Sequence, residues 1–256
     1  MDKAQYNVRA VERSLDILGL YRNRNKPLSL TEISAQLGLN KTTSYRLLST
    51  LLNKGYIHYD KETRKYTLGF EIFILGQCLS QSLNIRNIAR PHLEKLSEKL
   101  GLISHLGVYD NDHVVILEKI FPVRKSSYEM ISRVGAILPL HCTSLGKILI
   151  SSKEDQEIRE IMEEKGFFPY TDSTVLDIES FLEHIGEVRK LKYATDDCEH
   201  EQYIRCIAYP IYRARKREIV AAISVTGISE EVNNIDQKFL HETLHSTAMA
   251  ISSSIV

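Results

Sequence analysis

The first quarter of the chain carries apolar residues at helical spacing in three consecutive segments, 8–21, 30–38 and 41–55. The second segment opens at Ser29, three residues before Glu32, which is the spacing of a capping box. A tight turn that contains a glycine joins the second segment to the third. Two helices joined in this way are typical of a helix-turn-helix.

The third segment has two different faces when it is projected at about 100° per residue. One face carries Ser44, Leu47, Leu48, Leu51 and Leu52. The opposite face has no apolar and no acidic residue, and it is made of Thr42, Thr43, Arg46, Thr50 and Asn53. Arginine can bridge the acceptors of guanine and threonine can contact a thymine methyl group, so this face suits the major groove of DNA.

A basic turn follows the third segment. Two short runs of strand character, YIHYD and YTLG, enclose this turn, KETRK, and they predict a wing that lies against phosphates. The candidate DNA contacts are therefore Lys41, Thr42, Thr43, Arg46, Thr50, Asn53, Lys61, Arg64 and Lys65.

The composition narrows the class of protein. A hydrophobic fraction of 43% and a charged fraction of 26% are typical of a globular protein and exclude disordered and collagen-like chains. No apolar run approaches the roughly 18 residues of a membrane span, and the polar N-terminus is unlike a secretory signal. Four well-separated cysteines indicate reduced thiols, and hence a cytoplasmic location. The net charge is zero, but residues 1–68 hold 12 basic and 6 acidic side chains, which favours a polyanionic partner at this end.

The pattern changes after residue 69. An apolar segment without proline, 70–82, predicts a connecting helix, and an amphipathic segment follows in which Pro91 either kinks the helix or starts a new one. Strands are then predicted over 103–110, 113–120, 127–135, 205–212 and 218–227, and helices over 153–166, 177–191 and 236–256. Strand pairs flanked by helices indicate a mixed α/β (α+β) domain with a mostly antiparallel sheet.

Two blocks of sequence carry a family resemblance. AVERSLDILGLY, LSLTEISAQLGLNKTTSYRLLSTLLNKGYIHYD and KYTLG form the first, and LPLHCTSLGKILIS, YATDDCEHEQYIRCIAYPIY and VAAISVTG form the second. Together they resemble the IclR family of bacterial transcription regulators. The resemblance implies a winged helix-turn-helix domain over 1–68, a linker helix over 69–82 and a GAF/profilin-like effector-binding domain over 83–256. One half-site binds weakly alone, so we expect a homodimer on a near-palindromic operator in double-stranded DNA. The resemblance adds that two dimers form a homotetramer, and it implies a small organic effector, with carboxylates and aromatic catabolites as candidates.

The second block implies a pocket for that effector. The positions carried over from the family are Ser127, Met130, Ser144, Leu145, Asp196, Ile204, Cys206, Ser224 and Thr226. Independently, alternation along a strand puts Ile204 with Cys206, and Ser224 with Thr226, on single strand faces. Two departures from the family pattern bear on the pocket: Leu145 replaces a smaller residue and should narrow it, and Gln202-Tyr203 should reshape the approach to the following strand.

Other functions can be weighed against this one. An enzyme could use Ser144 or Cys206 as nucleophile with His141 and Asp196, but no motif brings these residues into register. A metal site could form in the acidic segment 196–201, which lacks the spacing of a zinc site, and Cys206 could sense redox state. We therefore expect a regulator and no catalytic residue, metal or cofactor.

Overall fold

The computed structural model describes residues 7–22, 26–123, 132–213 and 218–255. The chain forms two compact units, Met1–Leu83 and Asn84–Val256. Each unit has its own hydrophobic core. The predicted Ser127 and Met130 lie outside the described residues.

The first unit is a winged helix-turn-helix. In chain order its elements are α1 (Arg9–Gly19), β1 (Leu28–Ser29), α2 (Leu30–Gln36), α3 (Lys41–Asn53), β2 (Ile57–Asp60), β3 (Lys65–Leu68) and α4 (Phe70–Ser82). The described strands form an antiparallel sheet in the order β1-β3-β2. The core beneath the helices centres on Ile17, Ile33, Leu48 and Ile57.

Local interactions fix the ends of the two central helices. The Ser29 hydroxyl accepts from the backbone N–H of Glu32, while the Ser29 N–H donates to the Glu32 carboxylate at 2.7 Å, so the predicted capping box is present. Asn40 Oδ1 accepts from the Thr43 N–H at 2.8 Å and begins α3. Gly38, with φ of 63°, makes the turn between the two helices in a left-handed conformation that glycine tolerates.

The start of α4 is joined closely to the end of α3. The Gly69 N–H donates to the Tyr56 carbonyl at 2.8 Å, and the Glu71 N–H donates to the Gly55 carbonyl at 3.3 Å. A Cβ on Gly69 would lie 2.0 Å from the Gly55 oxygen. A residue with a side chain cannot replace Gly69 without displacing α4.

The second unit has one curved layer of strands between two groups of helices. Its elements are α5 (Asn84–Leu100), β4 (Ile103–Asp110), β5 (His113–Ile120), β6 (Ile137–Leu138), α6 (Ser144–Ile150), α7 (Asp155–Lys165), α8 (Ile178–Leu191), β7 (Ala194–Asp197), β8 (Ile204–Arg213), β9 (Glu218–Ile228), α9 (Ser229–Asn234) and α10 (Gln237–Ser253). The described strands pair antiparallel in the order β6-β5-β4-β9-β8-β7.

The two faces of this sheet are covered by different helices. Alternate residues of β8 and β9, such as Ile207 and Val225, pack with α5 and α10. The residues between them, such as Ala208 and Ala222, pack with α6 and α8. The antiparallel α+β architecture expected from the sequence is confirmed.

Four details differ from the sequence prediction or decide between its alternatives. The predicted strand over 127–135 lies partly outside the described residues, and 132–135 is not strand, whereas β6 begins at residue 137. β7 and α9 were not predicted, since each is too short to show a period. Pro91 lies inside the continuous helix α5, which therefore neither ends nor restarts there.

Candidate functional site

The exposed face of α3 carries most of the predicted DNA contacts. Lys41, Thr42, Arg46, Thr50 and Asn53 are exposed, and Thr43 is half-buried next to the Asn40 cap. The opposite face contributes the buried side chains of Ser44, Leu48 and Leu51. The helix therefore presents a polar, acid-free surface to solvent while its apolar face holds it on the core.

Two residues of α3 lie differently from the projection. Leu52, assigned to the buried face, is 38% exposed, one residue before the end of α3. Tyr45, which the sequence analysis did not select, is 58% exposed beside Arg46. The projection could have placed it next to the acid-free face.

The three basic residues of the wing lie in two places: Lys61 and Arg64 are at its tip, and Lys65 is at its base. The Asp60 carboxylate accepts from the N–H of Glu62 at 2.8 Å and closes the turn. Lys61 and Arg64 are exposed at the tip, where Arg64 adopts a φ of 56°. Lys65 is half-buried in β3, opposite Asp60, and its charge helps to lower the pKa of Glu32, after the stronger effect of the Ser29 hydrogen bonds.

The second unit has a small, partly open cavity of about 40 Å³ on the α6 side of its sheet. The cavity is lined by His105, Ser132, Leu138, Thr143, Ser144, Leu145, Asp196, His200, Glu201, Ile204, Cys206, Ser224 and Thr226. All seven described residues of the predicted pocket are among them.

The strand register explains why residues distant in sequence meet here. Asp196 pairs with Cys206 across β7 and β8, and Cys206 pairs with Thr226 across β8 and β9. His105 on β4 pairs with Ser224 on β9. Because paired residues point to the same face of an antiparallel sheet, these five side chains form one floor for the cavity.

The carboxyl group of Asp196 is held in an unusual electrostatic state. Burial raises the pKa of Asp196 to about 7, and the nearby Glu199 adds to this effect. The Glu199 N–H opposes it by donating to Asp196 Oδ1 at 2.9 Å. A buried Lys147 lies behind this segment, donating to Glu199 Oε1 at 2.5 Å and to the Thr195 carbonyl at 3.0 Å.

His105 is a neutral hydrogen-bonding group at the cavity wall. Its Nε2 lies 2.9 Å from the Ser132 hydroxyl, and its Nδ1 lies 3.4 Å from the Thr226 hydroxyl. Burial, with a smaller effect of Lys119, lowers the pKa of His105 to about 3. The ring therefore donates through one nitrogen and accepts through the other at neutral pH.

The thiols and the acidic segment do not form the reactive arrangements considered above. Burial raises the pKa of Cys206 well above its ordinary value, and it also raises the pKa of Cys142, so neither thiol is activated. His141 directs Nε2 to the Phe168 carbonyl at 3.1 Å and is not a lining residue of the cavity. Within the described part of the chain, no three His, Cys, Asp or Glu residues are grouped to hold a metal ion.

Six lining residues were missed by sequence reasoning: His105, Ser132, Leu138, Thr143, His200 and Glu201. His105 could have been noticed in the sequence, because it is a polar residue within the largely apolar strand ISHLGVYD. Its pairing with Ser224 places it in the interior of the sheet. Ser132 lies in the predicted strand 127–135 and Leu138 begins the block LPLHCTSLGKILIS, but neither pattern indicated that these two side chains line a cavity.

The two units match different parts of one bacterial protein family. The family model described as "Bacterial transcriptional regulator IclR C-terminal" matches residues 77–253. The model described as "IclR helix-turn-helix domain" matches residues 10–61. The chain belongs to the IclR family. The resemblance seen in the two sequence blocks is thereby confirmed, and this IclR-family protein is a DNA-binding transcriptional regulator.

Characterised relatives cover nearly the whole chain. The HTH-type transcriptional regulator XynR of Escherichia coli K12 is 33% identical over 248 residues, which span 97% of each chain. The transcriptional repressor IclR of the same organism is 30% identical over 222 residues, covering 86% of this chain and 80% of its own.

Solved structures share the fold. An IclR-type regulator from Alicyclobacillus acidocaldarius superposes with a TM-score of 0.83 at 24% identity, covering 97% of this chain and 99% of its own. An IclR homologue from Microbacterium hydrocarbonoxydans, crystallised with 4-hydroxybenzoate, gives a TM-score of 0.81 at 21% identity, covering 96% of this chain and 98% of its own.

Among the described helices of this IclR-family protein, none is long and apolar enough to cross a membrane.

Proposed function

We propose that this regulator is a cytoplasmic, non-enzymatic repressor that binds a near-palindromic operator as a symmetric dimer and changes its operator affinity when a small organic effector enters the cavity of the second unit. The observation that carries the proposal is this cavity, whose floor is made of mostly polar side chains from four neighbouring strands. Repression is the direction we propose because relatives, including the E. coli IclR protein, are named repressors.

In this proposal residues 1–68 bind DNA, 69–82 link the domains and 83–256 bind the effector. The acid-free face of α3 enters the major groove, where Arg46 reads base edges, and Lys61 and Arg64 at the wing tip contact phosphates. Lys41, Thr42, Thr43, Thr50, Asn53 and Lys65 complete the proposed contacts. One short helix reads too few base pairs for tight binding, so two symmetric copies are needed.

The surface of the first unit supports a dimer. The helix α4 has no buried side chain although it carries Phe70, Phe73, Ile74, Leu75 and Leu79. On α1, Val8, Val11 and Leu15 are also more than half exposed. A large exposed apolar surface normally marks a contact with a partner, and a second copy of this unit is the partner that a two-fold operator requires. Pairs of such dimers can make the tetramer that the family resemblance implies.

Effector binding is supported by the residues that the sequence selected. Ser144, Leu145, Asp196, Ile204, Cys206, Ser224 and Thr226 surround one cavity, and a homologue of the same fold was crystallised with an organic acid. Leu145 lies against Gly107, whose ideal Cβ position is 3.1 Å from Leu145 Cδ1. This close packing is consistent with a pocket that Leu145 narrows.

Footprinting tests the proposal directly. Purified protein is titrated on the DNA upstream of its own gene, at several salt concentrations and with a panel of small metabolites. We expect a protected, two-fold symmetric site whose affinity changes by roughly 5–150-fold with one metabolite, the usual range of coupling between sites. Salt-sensitive binding without a protected site would contradict specific operator recognition.

The dimer has its own test. Phe73→Asp places a charge on the exposed apolar surface of α4 and should shift the protein toward monomer in sedimentation velocity at micromolar concentration. Glu71→Ser, a polar change on the same helix, is the matched control. An unchanged sedimentation coefficient for Phe73→Asp would remove α4 from the proposed interface.

A further inference from the structure

We infer that Glu118, on β5 of the second unit, is a positioning residue for operator recognition: it fixes the first turns of α5 and, through α4, the spacing of the two reading helices in the proposed dimer. The inference rests on the proposed function and adds to it a residue that is not among the described lining residues of the cavity. It follows from an irregularity in β5, from the contacts of Glu118 and from the place of α5 in the chain.

The pairing of β4 with β5 contains a bulge. Gly107 pairs with Ile116 and Leu106 pairs with Glu118, so Leu117 is an extra residue in β5. Ile116 belongs to the core on the α6 side of the sheet, whereas Leu106 packs with α5. Because paired residues point to the same face, the bulge turns Glu118 toward α5. In a regular strand Glu118 would share the face of Ile116, and a bulge re-aims side chains in this way.

The buried carboxylate of Glu118 holds two arginines of α5. Its Oε2 lies 3.1 Å from Arg86 Nη2 and 3.4 Å from Arg90 Nη1. Arg86 also donates from Nε to the Leu117 carbonyl at 3.1 Å, so the bulge supplies both acceptors. The other carboxylate oxygen, Oε1, accepts from the Lys119 N–H at 3.2 Å. Only 5% of the Glu118 side chain is exposed, so these charge-assisted bonds are largely shielded from water.

Arg86 and Arg90 lie in the first two turns of α5, where apolar packing is weakest. The helix begins at Asn84, but its buried residues begin at Ala89. The contacts with Glu118 therefore hold the part of α5 that the hydrophobic core holds least.

This part of α5 directly follows the linker helix. The helix α4 ends at Ser82 and α5 begins at Asn84, so Leu83 alone joins them. At its other end α4 is bonded to the residues that follow α3, through the N–H groups of Gly69 and Glu71. In the proposed dimer, a loosened first turn of α5 therefore leaves the distance between the two copies of α3 less well defined.

The next residue of β5 faces the effector cavity. Lys119 pairs with His105, which lines the cavity, and its ammonium donates to the carbonyl of Ser132, another lining residue, at 2.5 Å. Two consecutive residues of one strand thus hold the cavity wall and the start of α5. The proposed effector response has only one peptide unit to cross between these two attachments.

The test uses the full-length protein and an operator that the wild-type protein selects from random double-stranded DNA. A second version of this operator carries one extra base pair between the half-sites, which turns one half-site by about 35° relative to the other. Gel shifts measure both dissociation constants. We expect Glu118→Gln to weaken binding to the selected operator by roughly 5-fold or more and to discriminate less against the longer operator. A loosely held α5 must be ordered on binding, but it accepts other spacings.

A matched pair of arginine substitutions separates positioning from stability. Arg86→Met removes a partner of Glu118 and should have the same effect, and the double variant should add little to the stronger single one. Arg189 on α8 also donates to a carbonyl, that of Ser151, and to a carboxylate, that of Asp155. Arg189→Met should leave the spacing preference unchanged. Circular dichroism and urea unfolding measure the fold and stability of every variant.

The inference is supported if Glu118→Gln and Arg86→Met lose discrimination between the two operators while Arg189→Met keeps it. It is wrong if Glu118→Gln lowers stability but keeps the wild-type affinity and spacing preference, because Glu118 then serves the fold alone. It is also wrong if Arg86→Met behaves as wild type, or if Arg189→Met loses discrimination to the same extent. Failure of the wild-type protein to select any operator would contradict the proposed function, and the inference with it.

Discussion

The surface of α3 and the cavity of the second unit hold their polar groups in opposite ways. Arg46 and Asn53 on α3 stand in solvent with their apolar neighbours turned inward. Asp196 and His105 in the cavity are buried, and hydrogen bonds to Glu199 and Ser132 fix them in place. The exposed side chains can reorient toward a partner without loss of a hydrogen bond in the free protein. The buried side chains were desolvated on folding, and their hydrogen bonds offset that penalty. Substitutions should therefore change binding in the first region and folding as well as binding in the second.

The largest effect is expected at the buried ion pair behind the cavity. Lys147→Met leaves the Glu199 carboxylate buried without its cation and should lower the free energy of unfolding of the second unit by about 3–5 kcal/mol. Hydrogen exchange of the β8 amides reports this unit alone. Arg159→Met removes the exposed ion pair with Glu179 and should change exchange very little. Equal effects of the two substitutions would show that burial does not set the strength of these pairs.

The next effect depends on pH. The pKa of Asp196 is raised from its ordinary 3.8 to about 7, so between these values the folded state binds more protons than the unfolded state. Stability should then fall as the pH rises from about 4 to about 7, by up to roughly 4 kcal/mol, and be constant above that range. Asp196→Asn should remove this slope in urea unfolding monitored at each pH. A slope that persists in the variant would assign the effect to another group.

A smaller effect, on binding alone, is expected at the recognition helix. Arg46→Ala should cost about 1–3 kcal/mol of operator binding and relax base preference at one position, if the guanidinium bridges a base. Its thermal stability should be unchanged because the side chain is exposed. Quantitative gel shifts with operator variants measure both effects. Unchanged operator affinity would remove Arg46 from the reading surface.

The smallest effect is expected at the wing tip. Lys61→Ala should weaken specific and non-specific DNA similarly and reduce the slope of log affinity against log salt by about 0.9, as for one lost phosphate contact. Lys65→Ala, at the half-buried base of the wing and near Glu32, should reduce the slope less. A loss confined to one operator sequence would contradict a phosphate-binding role for the wing.

The sequence predicted the first unit almost completely because its signals are local. Ser29 and Asn40 cap their helices within three residues, and the period of α3 is long enough to separate two faces. The cavity could not be predicted from local patterns alone, because its floor forms only when β4, β7, β8 and β9 pair in one sheet. The family resemblance supplied Asp196 and Cys206, but His105 enters through its pairing with Ser224, which no local pattern specifies.

The exposed apolar residues show a second limit of sequence reasoning. Leu15 on α1 follows the helical period that normally marks a core, yet it is 62% exposed. Val8 and Val11 on the same stripe are exposed too, whereas Leu18 and Tyr21 pack in the core. The helical spacing of apolar residues on α1 identifies an apolar surface, but it does not show whether the same chain or another chain packs against that surface. A stripe facing a second copy and a stripe facing the protein's own interior look the same in one sequence.

The close contact between Gly69 and Gly55 attaches the start of α4 directly to the residues that follow α3. With 13 residues at about 1.5 Å each, α4 is roughly 20 Å long. A displacement of about 1–2 Å at its far end, the size of many helix shifts, corresponds to a rotation of roughly 3–6°. Because the Gly69 and Glu71 amides hold the near end of α4 to the residues that follow α3, the proposed effector response would turn the recognition helix together with α4. In the proposed dimer, an effector that moves the far end of α4 would thus change the spacing of the two copies of α3 through a small rotation.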